Sequence, residues 1–364
     1  MNPLRQLEQY GQSFWLDYIQ RSLLESGELK ALIEEDGLTG ITSNPSIFEK
    51  SIAGSDEYAE TITRLAHQYS DANSVYEHLA IRDIQDAADI LRPVYDKTKG
   101  VDGYVSLEVS PHLAHDTAGT VEEGLRLFRE VNRPNVMIKV PATDEGIPAI
   151  RALIAEGLNV NVTLLFATSY YEKATLSYFC GLEDRVAKGK PIDHIASVAS
   201  FFISRIDTLI DSLLASKPGA TALLGKAAIA NAKLTYAHFR KLYDTPRWRT
   251  LQERGAHHQR LLWASTSTKN PAYNDVMYVD ELIGPHTVNT LPPATLKAFR
   301  DHGKAHRTID VGLKEANDVM QGLSHEGIVF EQVCQQLTRE GVKLFADAFD
   351  KLLKAVEDKR RKLG

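Results

Sequence analysis

A lysine in the middle of an apolar strand is the residue in this chain whose setting first suggests covalent chemistry. Asn135-Val-Met-Ile-Lys-Val-Pro-Ala-Thr143 reads as a buried strand, with Val136, Ile138 and Val140 on one face and Met137 and Lys139 on the other. Pro141 ends the ladder, and Thr143 is placed to cap a helix that begins at Asp144. An ammonium aimed at an interior is costly unless it is paired, so the pKa of Lys139 is expected to fall and its neutral amine to become available. A neutral amine facing a cavity is the starting point for a Schiff base with a carbonyl substrate. On this strand alone the bland alternative stays open: a lysine whose stem lies along a sheet edge and whose head snorkels to water.

The elements that would have to position this lysine can be read in order. Strand candidates are Phe14–Ile19, Gly40–Pro45, Tyr104–Val109, the lysine strand, Asn159–Phe166, Ile195–Ile203, Arg260–Ser267 and His286–Thr290, the last being the weakest. Helical patterns lie between them. They include Ser26–Ile33, a capping box at Thr120-Val-Glu-Glu123, a helix closed by Gly157, one from about Ser169 to Lys188, and one carrying Ile206, Leu209, Ile210 and Leu213. A tail from Phe330 to Lys362 has Leu344, Phe345, Phe349, Leu352 and Val356 as its expected buried stripe. Eight strands alternating with helices point to an α/β fold, a closed (β/α)8 TIM barrel with additional helices. A doubly wound sheet is the runner-up, but Gly40-Ile-Thr-Ser-Asn-Pro is not the Gly-rich phosphate loop it would need. No repeat or linker divides the sequence. Residues 1–364 are therefore expected to form a single barrel domain, with helical insertions at about 46–99 and 216–258.

Because strand side chains alternate, and a barrel's outer face packs on helices, the polar set should point inward. That set is Asp17 on the first strand, Thr42 and Asn44 on the second, and Ser106 and Glu108 on the third. Asn161 and Thr163 follow on the fifth strand (against Val160, Val162 and Leu164), then Ser200 and Phe202 on the sixth, and Ser265 and Ser267 on the seventh. Any one of these could simply satisfy backbone at a strand end. Gathered around Lys139 they look like an acid/base set, since a barrel core is ordinarily filled with branched apolar residues. Arg205, at the start of the helix after the sixth strand, and Lys269, just past Ser267, are candidates for holding an anion. A solvated surface pair is the competing reading of those two. His112 and His115 have helical metal-ligand spacing without the glutamate a zinc helix carries, and a surface or capping role is expected. His257-His258 falls in a polar stretch, and Gly219 to Lys226 lacks P-loop spacing.

Bulk properties exclude several classes. The chain has 364 residues, 43% hydrophobic and 25% charged, as in ordinary globular proteins. A net charge of −6 gives no electrostatic reason to expect nucleic acid. No apolar run is long enough to cross a membrane, and Met1-Asn-Pro-Leu-Arg lacks a signal-peptide pattern. Cys180 and Cys334 are expected to be free thiols in a reducing compartment, which points to the cytoplasm. The sequence leaves a homo-oligomer open.

Five segments carry a family resemblance. Thr42-Ser-Asn-Pro-Ser46, Val105-Ser-Leu-Glu-Val-Ser110, Met137-Ile-Lys-Val-Pro-Ala-Thr143, Asn159-Val-Asn-Val-Thr-Leu-Leu-Phe166 and Ala264-Ser265 resemble transaldolase, in its longer-chain bacterial-type branch, over Asp17 to roughly Thr290. The resemblance implies a (β/α)8 barrel that moves a dihydroxyacetone unit between sugar phosphates in the non-oxidative pentose phosphate pathway, with no metal or organic cofactor. It implies Lys139 as the Schiff-base lysine and Asp17 as the acid/base for the C4 hydroxyl. Glu108 would act through a water, with Thr163 beside it. Asn44, Asn161 and Ser200 would hold dihydroxyacetone hydroxyls, and Arg205 and Ser265 the phosphate. Phe202 falls where related fructose-6-phosphate aldolases tend to carry tyrosine, which favours transfer over simple cleavage. Many members carry arginine where this chain has Ser267, so Lys269 is expected to reach the phosphate instead. A class I aldolase on the same scaffold and a non-catalytic sugar-phosphate-binding barrel are the alternatives.

Overall fold

The structure, a computed structural model, describes residues 2–217 and 219–363. Eight parallel strands close into a barrel in sequence order. They are β1 (Gln12–Asp17), β2 (Gly40–Thr42), β3 (Tyr104–Glu108), β4 (Val136–Pro141), β5 (Asn159–Leu165), β6 (Ser197–Phe202), β7 (Gln259–Ala264) and β8 (Thr287–Leu291). β8, the weakest candidate in the sequence, is buried along its length and pairs with both β7 and β1. The shortest of the eight is β2. It ends three residues before Pro45, because Asn44 already turns the chain to cap the helix Pro45–Phe48 through Ile47 N–H. Pro45 thus opens a helix rather than stopping a strand. β1 begins earlier than its pattern suggested and stops at Asp17.

Several local expectations are corrected. β7 ends at Ala264, so Ser265 and Ser267 stand on the loop above it, with Ser265 at φ 56°. The Thr120 capping box does not form: the helix Thr117–Val131 is capped by Asp116, Thr120 Oγ1 donates to Leu113 O, and Glu123 accepts from Ser110 N. Thr143 does accept from Gly146 N, but the helix starts at Gly146, not at Asp144. His258 is not in a polar setting. Its ring stacks on His286 at 4.5 Å beside Tyr243 and Trp248, and burial, helped by His286 and His257, pushes its pKa down to about 4. His112 and His115 look to different carboxylates, Asp350 and Glu145.

Two helical regions decorate the barrel. Between β2 and β3, the helices Ala59–Ala66 and Ala72–Lys97 bury Val75, Leu79, Ile84, Ala88 and Leu91, the set whose helical spacing marks one apolar face. Before β7, the helices Ala227–Tyr243 and Pro246–Gln252 occupy the helical insertion expected at about 216–258. The last helix, Phe330–Leu363, is roughly 50 Å long at 1.5 Å per residue. It packs on the helix Ala72–Lys97, on the segment 45–66 and on the end of β5. Phe345, Phe349, Leu352 and Val356 are buried on it, whereas Leu344 is 52% exposed, because its position lies a quarter-turn off that stripe. No described helix is long and apolar enough to cross a membrane.

An ion pair fills the N-terminal end of the barrel. Asp102 accepts from Trp15 Nε1 at 2.9 Å, Ser13 Oγ at 2.6 Å and Arg260 Nη2 at 2.9 Å, and Arg260 Nη2 also donates to Val101 O. Each partner is about nine-tenths buried, so removing one strands the other. Asp102→Ala is expected to destabilise the fold by about 3–5 kcal/mol. Urea unfolding checks this: the midpoint should drop with the slope unchanged.

Candidate active site

The C-terminal end of the barrel is polar because register and pleat place it so. Glu108, Lys139 and Asn161 are direct neighbours across β3, β4 and β5, and so their side chains leave the sheet on the same side. Asp17 is likewise level with Thr42 across β1 and β2. The Lys139 and Glu108 side chains are only 4% and 5% exposed. Lys139 Nζ donates to the backbone oxygen of Ser43 at 3.0 Å. Glu108 Oε2 lies 3.3 Å from the same nitrogen as an ion-pair contact. The snorkelling alternative for Lys139 is therefore set aside.

Around this nitrogen the neighbours are tied to one another. Asn161 donates to Ser106 Oγ at 3.0 Å and accepts from Ser200 Oγ at 2.7 Å, so both ends of its amide are fixed. Thr42 Oγ1 donates to Asp17 Oδ1 at 2.7 Å and shares a hydrogen bond with Thr290 Oγ1. Burial pushes the Asp17 carboxyl above its usual range, against the opposing pull of Lys139, Thr42 and Lys269. Glu108 is raised too, chiefly by burial and further by Asp17, while Lys139 draws it down. Two buried carboxyls of raised pKa beside one amine are the kind of set that acid/base chemistry uses.

A cavity of about 150 Å³ opens onto this group. Eight of the eleven residues to which the resemblance gives a role line it: Asp17, Asn44, Lys139, Ser200, Phe202, Arg205, Ser265 and Lys269. Glu108 and Asn161 stand directly behind, touching Lys139 and Ser200. Thr163 is fully buried one pleat above Asn161, and its Oγ1 has no hydrogen-bond partner among the described residues. A β-bulge then interrupts β5. Leu164 takes φ 58° and packs toward Gly341 of the last helix, so it does not continue the outward row of Val160 and Val162.

The cationic end lies where β6 and β7 finish. Arg205 is the second residue of the helix Ser204–Leu214, and the hydroxyls of Ser204 and Ser265 are 2.9 Å apart at its N-terminus. Arg205 stacks over Phe202 at 5.4 Å, and its Nη1 is buried without a hydrogen-bond partner among the described residues. Burial holds the pKa of Arg205 below its usual value. Lys269 Nζ donates to Ser267 Oγ at 2.7 Å, so the lysine and the serine stand together. Its pKa is lowered by burial and by the charges of Arg205 and Lys50. Helix amides, a guanidinium nitrogen without a hydrogen-bond partner among the described residues and a lysine of lowered pKa are groups that could hold an oxyanion.

Sequence reasoning missed Phe345 as part of the site. The helical stripe accounts for it as a buried residue, yet it lines the cavity with its ring 5.7 Å from Lys139 Nζ. Its i+4 spacing to Phe349 marks burial and says nothing of what lies beneath. Thr290, at the end of β8, also reaches the cavity and supports Thr42.

Comparison with known proteins identifies the family. The profile of the family described as transaldolase/fructose-6-phosphate aldolase matches residues 14–356, which includes most of the last helix. A transaldolase of Trichodesmium erythraeum is 48% identical, over 100% of this chain and 98% of its own length. Transaldolase 2 of a Nostoc species is 46% identical over 100% and 99%, and a transaldolase of Neisseria gonorrhoeae is 45% identical over 97% and 99%. The chain belongs to the transaldolase/fructose-6-phosphate aldolase family.

Proposed function

We propose that this chain is a transaldolase: a transferase that moves a dihydroxyacetone unit from a ketose phosphate to an aldose phosphate through a Schiff base on Lys139. The donors would be sedoheptulose 7-phosphate or fructose 6-phosphate. The acceptors would be glyceraldehyde 3-phosphate or erythrose 4-phosphate, in the non-oxidative pentose phosphate pathway of the cytoplasm. The observation that carries this reading is the row Glu108, Lys139, Asn161, level across three strands and facing the same cavity as Asp17. One hydrophobic cluster joins buried side chains from Leu4 to Val356, which supports treating residues 1–364 as one barrel domain.

The placement supports the following chemistry. The Lys139 amine attacks the C2 carbonyl, and Glu108, acting through a water beside Thr163, moves the protons that let the carbinolamine lose water. Asp17 then takes the C4 hydroxyl proton while the C3–C4 bond breaks, and the aldose phosphate departs. The electron pair left on C3 is delocalised toward the iminium nitrogen as an enamine. Asn44, Asn161 and Ser200 hold the hydroxyls of the retained unit, while Arg205, Ser265 and Lys269 hold the phosphate. Phe202, packed on Phe166 at 5.4 Å, offers no hydroxyl to protonate the enamine. That supports transfer rather than aldol cleavage, so the aldolase reading is not favoured.

Borohydride with fructose 6-phosphate is expected to leave one reduced dihydroxyacetone unit on Lys139, seen as a mass increase and absent in Lys139→Ala. In Asp17→Asn the trapped adduct should instead retain the whole ketose phosphate, with turnover reduced about 10²–10⁴-fold. An unchanged mass in the native protein would overturn the reading.

The raised Asp17 carboxyl also sets a pH dependence of stability. A carboxyl whose folded pKa is raised contributes stability that is complete below its unfolded pKa and is lost as pH rises through the folded value. Above the usual carboxylate range the burial of this group therefore weakens folding. Asp17→Asn is expected to melt higher than the native protein at pH 7–8, with the difference shrinking as pH falls into the usual carboxylate range. Thermal melts across that range check the sign.

A further inference from the structure

Phe345 comes from the far end of the chain to the reacting nitrogen. Its residue is 3% exposed, and its ring centroid is 5.7 Å from Lys139 Nζ, within cation–π range. The helix bearing it is fastened on both sides of that point. One turn earlier, Gly341 presses so closely on the bulged end of β5 and on the anion site that a Cβ there would lie 2.8 Å from Leu164 Cδ2 and 3.6 Å from Arg205 Nη1. One turn later, Phe349 packs edge-on against Tyr76 at 5.5 Å, and Tyr76 packs in the same manner against Phe48. The Lys139 nitrogen is otherwise met by oxygens, from Ser43 and Glu108. Phe345 brings an aromatic face to it.

We propose that Phe345 is the shield that separates transfer from hydrolysis in this protein: its ring covers the Lys139 adduct and keeps water from the nucleophilic carbon of the enamine. The proposal rests on the Schiff-base reading above. The side reaction that it blocks is defined. The enamine carbon takes a proton from water, the resulting iminium adds water at C2, and the C2–N bond breaks. Free dihydroxyacetone is released and the Lys139 amine returns. A polar residue at 345 would bring a proton donor to the enamine, whereas an apolar ring withholds one. Since Gly341 of the same helix lies against Arg205, the shield and the anion site share one support.

The test is the ratio of dihydroxyacetone release to transfer, measured with fructose 6-phosphate in the absence and presence of erythrose 4-phosphate. In Phe345→Ala this ratio should rise about tenfold or more, a change of about 1.4 kcal/mol in relative barriers. Phe345→Leu, which restores apolar bulk, should return the ratio close to the native value. Phe345→Val, a milder truncation, should give the same sign if the alanine variant does not accumulate folded. Borohydride trapping on Lys139 runs in parallel: it should succeed in every folded variant, and its loss in the native protein would defeat the Schiff-base reading itself. With trapping intact, a ratio unmoved in both truncations, or one that leucine fails to restore, would overturn the role of Phe345.

Discussion

One nitrogen, held out of water, organises this molecule. Lys139 Nζ sits in the barrel interior against Ser43 O and the carboxylate of Glu108, and almost none of its side chain meets solvent. An amine there cannot be left alone, because an uncompensated buried charge costs several kcal/mol. Its neighbours must therefore be polar, and they must be anchored so that they do not collapse onto it. The Asn161 amide tied between Ser106 and Ser200 is one such anchor, and the Thr42 hydroxyl bridging Asp17 and Thr290 is another. Polar groups fixed in advance need no reorganisation when charge develops, and this is the form electrostatic catalysis takes in enclosed sites.

The two ends of the barrel solve the same problem differently. At the N-terminal end, Asp102 and Arg260 neutralise each other and fill their hydrogen-bonding capacity with Trp15, Ser13 and Val101. At the C-terminal end, the carboxyls of Asp17 and Glu108 are both raised by burial, and Thr163 Oγ1 and Arg205 Nη1 keep free valence among the described residues. The Asp102–Arg260 pair at one end is satisfied and serves the fold. The other is held under electrostatic tension, a common signature of a site built for binding and proton transfer rather than for stability.

Much of this was legible because a strand's period of two leaves little freedom: once the apolar rows face the helices, Asp17, Glu108, Lys139 and Asn161 have only the interior left. What could not be read depends on geometry that the alternation does not encode. The bulge in β5 turns Leu164 by one residue's φ angle. Ser265 and Asn44 sit past their strands, on turns whose conformations come from tertiary contacts. The capping residue of the helix before β4 is Asp116, four positions ahead of an equally plausible box at Thr120, and only packing decides between them. Leu344 and Phe345 are adjacent and both apolar. Which of them meets the barrel depends on how a 34-residue helix is rolled about its axis, a rotation fixed by Gly341 and Phe349 rather than by composition. His258, in a stretch that reads as polar, is buried by aromatic partners as distant in sequence as His286.

The closure of the barrel carries a consequence for how the chain is made. β1 is flanked by β2 and by β8, whose partners Gln12 and Thr287 lie most of the chain apart, and the aromatic cover of Lys139 arrives later still. During synthesis the first strand must wait with one edge open until the ribosome has delivered almost everything else. A nascent chain would hold its amine and both acids long before it held their cover. The aromatic ring over Lys139 is thus the last part of this constellation to be laid down, after the amine and both acids.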